Sequence, residues 1–261
     1  MSLTINTNID AMNAQRNLSM TENSLSTSMQ RLSSGLRINT ASDDVAGYAI
    51  SQKLEGQVRG LGQAQQNSQD AVSMAQTAQG SLNEVQQMLQ RVRELAVQYN
   101  NGTNSAADQT AIQSEVNQLV SEINRVGETT QFNGVSLLNS STTISYQVGA
   151  NDGEVIAVST ISLGESVGAI SLTSISGIDA AIDSVSAAAG SFGAIQNRLQ
   201  YTLSNLATYA QNLSAAQSSI VDVDMAAEMT KFTKEQVLQQ AGTSILAQAN
   251  QRPQAVLKLL Q

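Results

Sequence analysis

From Ile50 to Tyr99 one spacing repeats without interruption. Ile50, Leu54, Gln57, Leu61, Ala64, Ser68, Ala71, Ala75, Ala78, Leu82, Val85, Leu89, Val92, Ala96 and Tyr99 follow one another at alternating gaps of four and three. Sustained over so many turns, this is the seam of a coiled coil rather than the face of a lone amphipathic helix. The spacing predicts a helix over about 43–100, roughly 85 Å long at ~1.5 Å per residue. Asn100-Asn101-Gly102 stops it. Upstream, RINTASDD is a polar link in which Ser42 can cap this helix, with Asp43 and Asp44 in its first turn beside the positive end of the helix dipole.

The same texture recurs on both sides. Ile112, Val116, Leu119, Ile123 and Val126 predict a helix over about 105–127, and an unbroken series from Ile178 to Ile220 predicts another over about 177–220. Leu18, Leu25 and Leu32 lie seven apart on a first helix, with Ile5, Ile9, Met12, Met29 and Leu36 broadening its face and Ser34-Gly35 ending it. The phase slips over Val221 to Asp224. A last helix then carries Met225, Met229, Phe232, Leu238, Ala241, Ile245, Ala249, Val256, Leu259 and Leu260. Between the helical halves, TTISYQVG and EVIAVSTISL alternate as strands do, and Ala150-Asn151-Asp152-Gly153 is a good turn.

These segments predict a mainly α chain: an elongated antiparallel coiled-coil helical bundle with a short β-hairpin region over about 140–175, its N- and C-terminal helices paired. Residues 1–42 and 221–261 form the terminal helices, and residues 43–220 a rod-shaped second domain. The absence of Trp, the three Phe and the single Pro suit thin helical seams better than a thick globular core. The terminal helices are individually weak, because Ala14, Thr21 and Ser28 fill seam positions on the first. Two such helices bury too little to offset ordering entropy, so they are expected to order when many copies pack together.

Composition also excludes functions. A net charge of −8 argues against nucleic acid or anionic lipid as the main partner. With no His and no Cys, imidazole and thiolate chemistry and the common metal sites are ruled out, so neither catalysis nor a cofactor is expected. Asp43 and Asp44 are adjacent and do not converge on one face, which suits a helix start rather than general acid–base work. Met225 and Met229 read as seam residues rather than a binding groove. No apolar run approaches the ~20 residues of a membrane span, and MSLTINTNIDAMNAQRNL lacks the features of a cleaved secretory signal.

INTNIDAMNAQRNL, RLSSGLRINTASDDVAGYAIS, QRVRELAVQ, the QFNG at 131–134 and SILAQANQRPQAVLKLL together closely resemble bacterial flagellin, over about residues 1–140 and 176–261. The resemblance implies a structural subunit of the flagellar filament with little or no variable outer domain, secreted by the flagellar type III apparatus and extracellular. It also implies a polymerisation seam that includes Leu18, Leu25, Leu32, Met229, Leu238, Ile245 and Leu259. Implied partners are further copies of the chain, an export chaperone, a cap protein, a hook–filament junction protein and the vertebrate Toll-like receptor for flagellin. A junction protein, or a secreted helical rod that does not polymerise, is the alternative. Arg252 departs from the family, which commonly has a small apolar residue there.

The nonapeptide QRVRELAVQ, residues 90–98, is dense in charge for this chain. Val92, Ala96 and Tyr99 lie on the seam, so Met88, Arg91, Leu95 and Gln98 form a neighbouring stripe, and Leu95 is expected to be semi-exposed. Spacing alone favours a solvated face in which Arg91 pairs with Glu94 or Leu95 covers the seam edge. The resemblance implies instead a receptor-binding patch at Arg91, Leu95 and Glu115. It further implies that Val256, Leu257, Leu259 and Leu260 are read by intracellular flagellin sensors.

Overall fold

Apolar residues at gaps of three and four produce long helices here, and the polar, Gly-containing links between them produce the breaks. The structure is a computed structural model. It describes residues 7–168 and 170–259, with every side chain among them except those of 166 and 252–259. Along the described residues run α1 (Ile9–Ser34), α2 (Val45–Tyr99), α3 (Ala106–Thr129), β1 (Gln131–Phe132), β2 (Val135–Ser136), β3 (Thr143–Gln147), β4 (Val155–Ser159), α4 (Leu163–Val167), α5 (Ile175–Val221) and α6 (Met225–Leu259). They form two compact units. One joins Met1–Gly56 to Leu213–Gln261, and the other is Gln57–Asn212.

In the second unit α5 runs antiparallel to α2. Gln86 Nε2 donates to Ser186 Oγ at 3.1 Å and Arg93 Nε to Asp179 Oδ1 at 2.7 Å, so the partner's number falls as α2's rises. α3 also runs back along α2, with Gln109 Nε2 donating to the Tyr99 carbonyl at 3.4 Å near one end and Thr130 Oγ1 to Ser81 Oγ at 3.1 Å near the other. Every seam residue from Leu61 to Ala96 is buried, as the spacing predicts. On α5 the buried stripe is broader than predicted, since Ala181, Ala188 and Ile195 are buried beside Ile178, Val185, Phe192 and Leu199.

The predicted hairpin is β3 against β4, in antiparallel register from Thr143↔Ser159 to Gln147↔Val155. Its inner face, Ile144, Tyr146, Ile156 and Val158, joins the same core as Val72 and Met74 of α2. That cover buries two residues lying off the seam, and the Tyr146 hydroxyl donates to the Met74 thioether. A second, smaller hairpin pairs β1 with β2. Its turn residues, Asn133 and Gly134, have φ of 49° and 80°, the pattern of a type I′ turn.

In the first unit α1 and α6 pair antiparallel. Asn8 Nδ2 donates to the Ala249 carbonyl at 2.8 Å, and a Cβ on Gly242 would stand 3.3 Å from Leu18 Cδ1. At the other end an antiparallel bridge joins Leu36 to Asp222, with Val223 N–H donating to the Gly35 carbonyl at 3.0 Å. Gly35 ends α1 at φ 73°, where its N–H bonds the Arg31 carbonyl.

The start of α2 corrects one expectation. Asp43 Oδ2 accepts from the Asn39 and Thr40 N–H groups at 3.1 and 3.0 Å, so it closes the preceding turn. Its carboxyl is held below the ordinary carboxylate range, chiefly by the Thr40 N–H and then by that of Asn39. The helix therefore begins at Val45, and its cap is Asp44, not Ser42: Asp44 Oδ1 accepts from Gly47 N–H at 2.9 Å.

Candidate interaction surfaces

The charged stretch of α2 forms an exposed clamp on α3. Arg91 donates from Nε and Nη2 to Glu115 Oε1 at 3.2 and 3.0 Å, and from Nη1 to Glu94 Oε2 at 3.1 Å. The Arg91 side chain is 51% exposed and that of Glu115 47%. Hydrogen bonding to Glu115 first, and to Glu94 second, holds the guanidinium above its ordinary pKa. Arg93 makes the equivalent tie to Asp179 on α5. Such exposed pairs contribute little stability and mainly fix where charge is presented.

Leu95 is not part of that exposed clamp. It is only 2% exposed and packs with Val92, Ala96, Ile112, Val116, Leu172 and Ile178. The expectation of a semi-exposed leucine treated α2 as having one partner. In the structure α2 is covered from two sides, by α3 and α5, and the segment before α5 closes over its end, where Asn100 Nδ2 holds the Leu172 carbonyl at 2.8 Å. Of the three residues assigned to receptor binding, the structure joins Arg91 and Glu115 at the surface and places Leu95 in the core.

The α1–α6 pair supplies the second surface. Leu18, Leu25 and Leu32 are half-buried, as are Ala14 and Thr21, and Ser28 is buried. On α6 the inward stripe is Glu228, Phe232, Glu235, Gln239, Gly242, Leu246 and Ala249. Of the apolar series of α6, Phe232 and Ala249 lie on this stripe, whereas Met229, Leu238 and Ile245 are exposed. Ile9, Met12, Met20 and Met29 on α1, with Met225 and Val237 on α6, are exposed too. The layer between the helices is imperfectly satisfied. Ser28 Oγ, Arg31 Nε and Glu228 Oε1 are buried without a hydrogen-bond partner, although Lys231 Nζ lies 3.8 Å from that carboxylate oxygen. Arg252, Val256, Leu257, Leu259 and Leu260 lie outside the residues whose side chains the structure describes.

Among the described residues no three His, Cys, Asp or Glu side chains gather as a metal site would require, and no helix is long and apolar enough to cross a membrane. The bacterial flagellin N-terminal helical region matches residues 5–143, and the bacterial flagellin C-terminal helical region matches residues 175–260. This chain belongs to the flagellin family.

The flagellin of Halalkalibacterium halodurans is 49% identical over 269 residues, covering 98% of this chain and 99% of that protein. The flagellar filament 33 kDa core protein of Treponema phagedenis is 42% identical over 283 residues, again covering 98% and 99%. The crystal structure of Bacillus cereus flagellin superposes with a TM-score of 0.51 at 31% identity, over 58% of this chain and 94% of that one. The two flagellin regions take in all the long helices. Between them, residues 144–174 hold most of β3, all of β4 and α4, which fits the lack of a family pattern in the middle of the sequence.

Proposed function

We propose that this chain is a structural, non-catalytic subunit that polymerises into an extracellular bacterial flagellar filament, with α1 and α6 as its main polymer contacts. The observation that carries the reading is the set of exposed apolar side chains on both terminal helices, Met229, Leu238 and Ile245 among them, around a pair with a thin, partly unsatisfied seam. A lone pair of this kind gains little by burial, and further copies would cover the remaining apolar surface. Residues 1–42 and 221–261 are then the polymerising part, with residues 43–220 the surrounding shell. The filament core protein among the relatives supports the same assignment.

The partners that accompany this role are an export chaperone, a cap protein and a hook–filament junction protein. For the vertebrate Toll-like receptor, Arg91 and Glu115 are the contact groups and Leu95 supports them from beneath. The C-terminal Val256, Leu257, Leu259 and Leu260 are the corresponding proposal for intracellular sensors. The test is salt-induced assembly of the purified chain, followed by centrifugation and electron microscopy of the pellet. Tubes are expected from the full chain and not after deletion of residues 1–40 or 222–261. Unimpaired assembly of either deletion overturns the reading.

A further inference from the structure

Methionine divides the two units. The chain has eight methionines. Met12, Met20 and Met29 on α1 and Met225 and Met229 on α6 are between 48% and 56% exposed. In the other unit Met74 is buried and Met88 half-buried, and the Met74 sulfur also accepts the Tyr146 hydroxyl. Helical spacing of ~100° per residue sets Met12 opposite the stripe that meets α6, with Met20 and Met29 on its flanks. No side chain in the chain competes for oxidants as cysteine would, because there is none.

We propose that Met12, Met20, Met29, Met225 and Met229 are a modification site for two-electron oxidants of the hydroperoxide class, and that their oxidation in the free subunit blocks its self-assembly. The inference rests on the reading that second copies cover α1 and α6. In the reaction a thioether sulfur attacks one peroxide oxygen, the O–O bond breaks and an S–O bond forms. Sulfur gives up two electrons, and the departing hydroxide leaves as water after taking a proton. Each event converts a flexible apolar side chain into a polar sulfoxide. A sulfoxide covered by a second copy loses its hydration without a matched donor, so association weakens. Subunits already assembled have these sulfurs covered, which confines the sensitivity to the free chain. Methionine sulfoxide reductases, one for each epimer, reverse the change.

The test treats the full purified chain with hydrogen peroxide, either before or after assembly, and locates added oxygen by peptide mass spectrometry. Oxidation before assembly is expected to mark these five residues ahead of Met74, and to raise the concentration needed for sedimentable tubes on the order of tenfold. Reductase treatment is expected to restore assembly. A chain carrying Met→Leu at all five positions, a volume-conserving change, is expected to assemble and to ignore peroxide. Equal assembly of the sulfoxide-bearing chain overturns the inference while leaving the filament reading intact, as does peroxide-blocked assembly of the fivefold variant. If untreated chain forms no tubes, both fall. Should the fivefold variant lose its helical dichroism, reductase rescue of the original chain decides, and no recovery overturns the inference.

Discussion

Truncating Leu95 to Ala separates a core residue from the exposed residue that spacing alone suggests. Leu95 is 2% exposed and touches a cluster drawn from α2, α3, α5 and the segment before α5. Removing a buried leucine's outer carbons loses their transfer free energy and leaves a cavity, and such changes cost about 2–5 kcal/mol. Four chain segments meet at this position, which limits how far the site can collapse, so we expect about 3 kcal/mol. For a unit of this size that lowers the thermal midpoint by roughly 6–12 °C. The assay is urea unfolding followed by far-UV dichroism, with the midpoint falling while the slope stays constant. Arg91→Ala is the control, because it removes only exposed ion pairs and is expected to leave the midpoint nearly unchanged. A loss below about 1 kcal/mol for Leu95→Ala would refute the packing described here. If the loss is as expected, weaker receptor activation by that variant reports a collapsed patch rather than a missing contact.

Glu228→Leu is expected to stabilise the α1–α6 pair by about 1 kcal/mol, because it replaces a buried carboxylate oxygen that has no hydrogen-bond donor. Unchanged or earlier melting would contradict this. Gly35→Ala is expected to cost about 1 kcal/mol through its left-handed φ, read by the same melts. Ser105 holds Asp108 below the ordinary carboxylate range, first through its hydroxyl and then through its N–H; Arg125 does the same to Glu122, and the Asn151 N–H to Glu154. Their folded pKa values are depressed, so the stability they contribute is present above the unfolded carboxylate pKa and lost as pH falls through the folded one. Asp108→Asn should flatten the acid limb of a plot of melting temperature against pH, and an unaltered slope would count against the capping role.

The α2 seam was legible from Leu61 to Ala96, since a period repeated over many turns can be met by only one face of a helix, whereas Ile50, which the spacing also puts on the seam, is exposed. Leu61 to Ala96 therefore appear in the core where the spacing puts them. The β3–β4 hairpin was legible for the analogous reason of period two. Leu95 was not, because periodicity gives a stripe but not the number of neighbours around it, and α2 has two. The terminal helices show the same limit in another form. Their apolar residues exceed what one partner can cover, and the pattern does not state which stripe faces the partner within the chain. The structure turns Glu228, Phe232, Gln239 and Gly242 inward and Met229, Leu238 and Ile245 outward. The β1–β2 hairpin and its Asn133-Gly134 turn were missed although Asn-Gly is a strong hairpin signal, because each strand is only two residues long.

Amide hydrogen exchange, compared between free subunit and pelleted polymer, tests the filament account most directly. If second copies cover the exposed faces of α1 and α6, exchange in peptides from Ile9–Ser34 and from Met225–Leu259 slows by at least about tenfold on assembly. The core of α2 between Leu61 and Ala96 changes little, because it is already packed. Terminal helices that exchange as fast in the polymer as in the free chain would contradict the account.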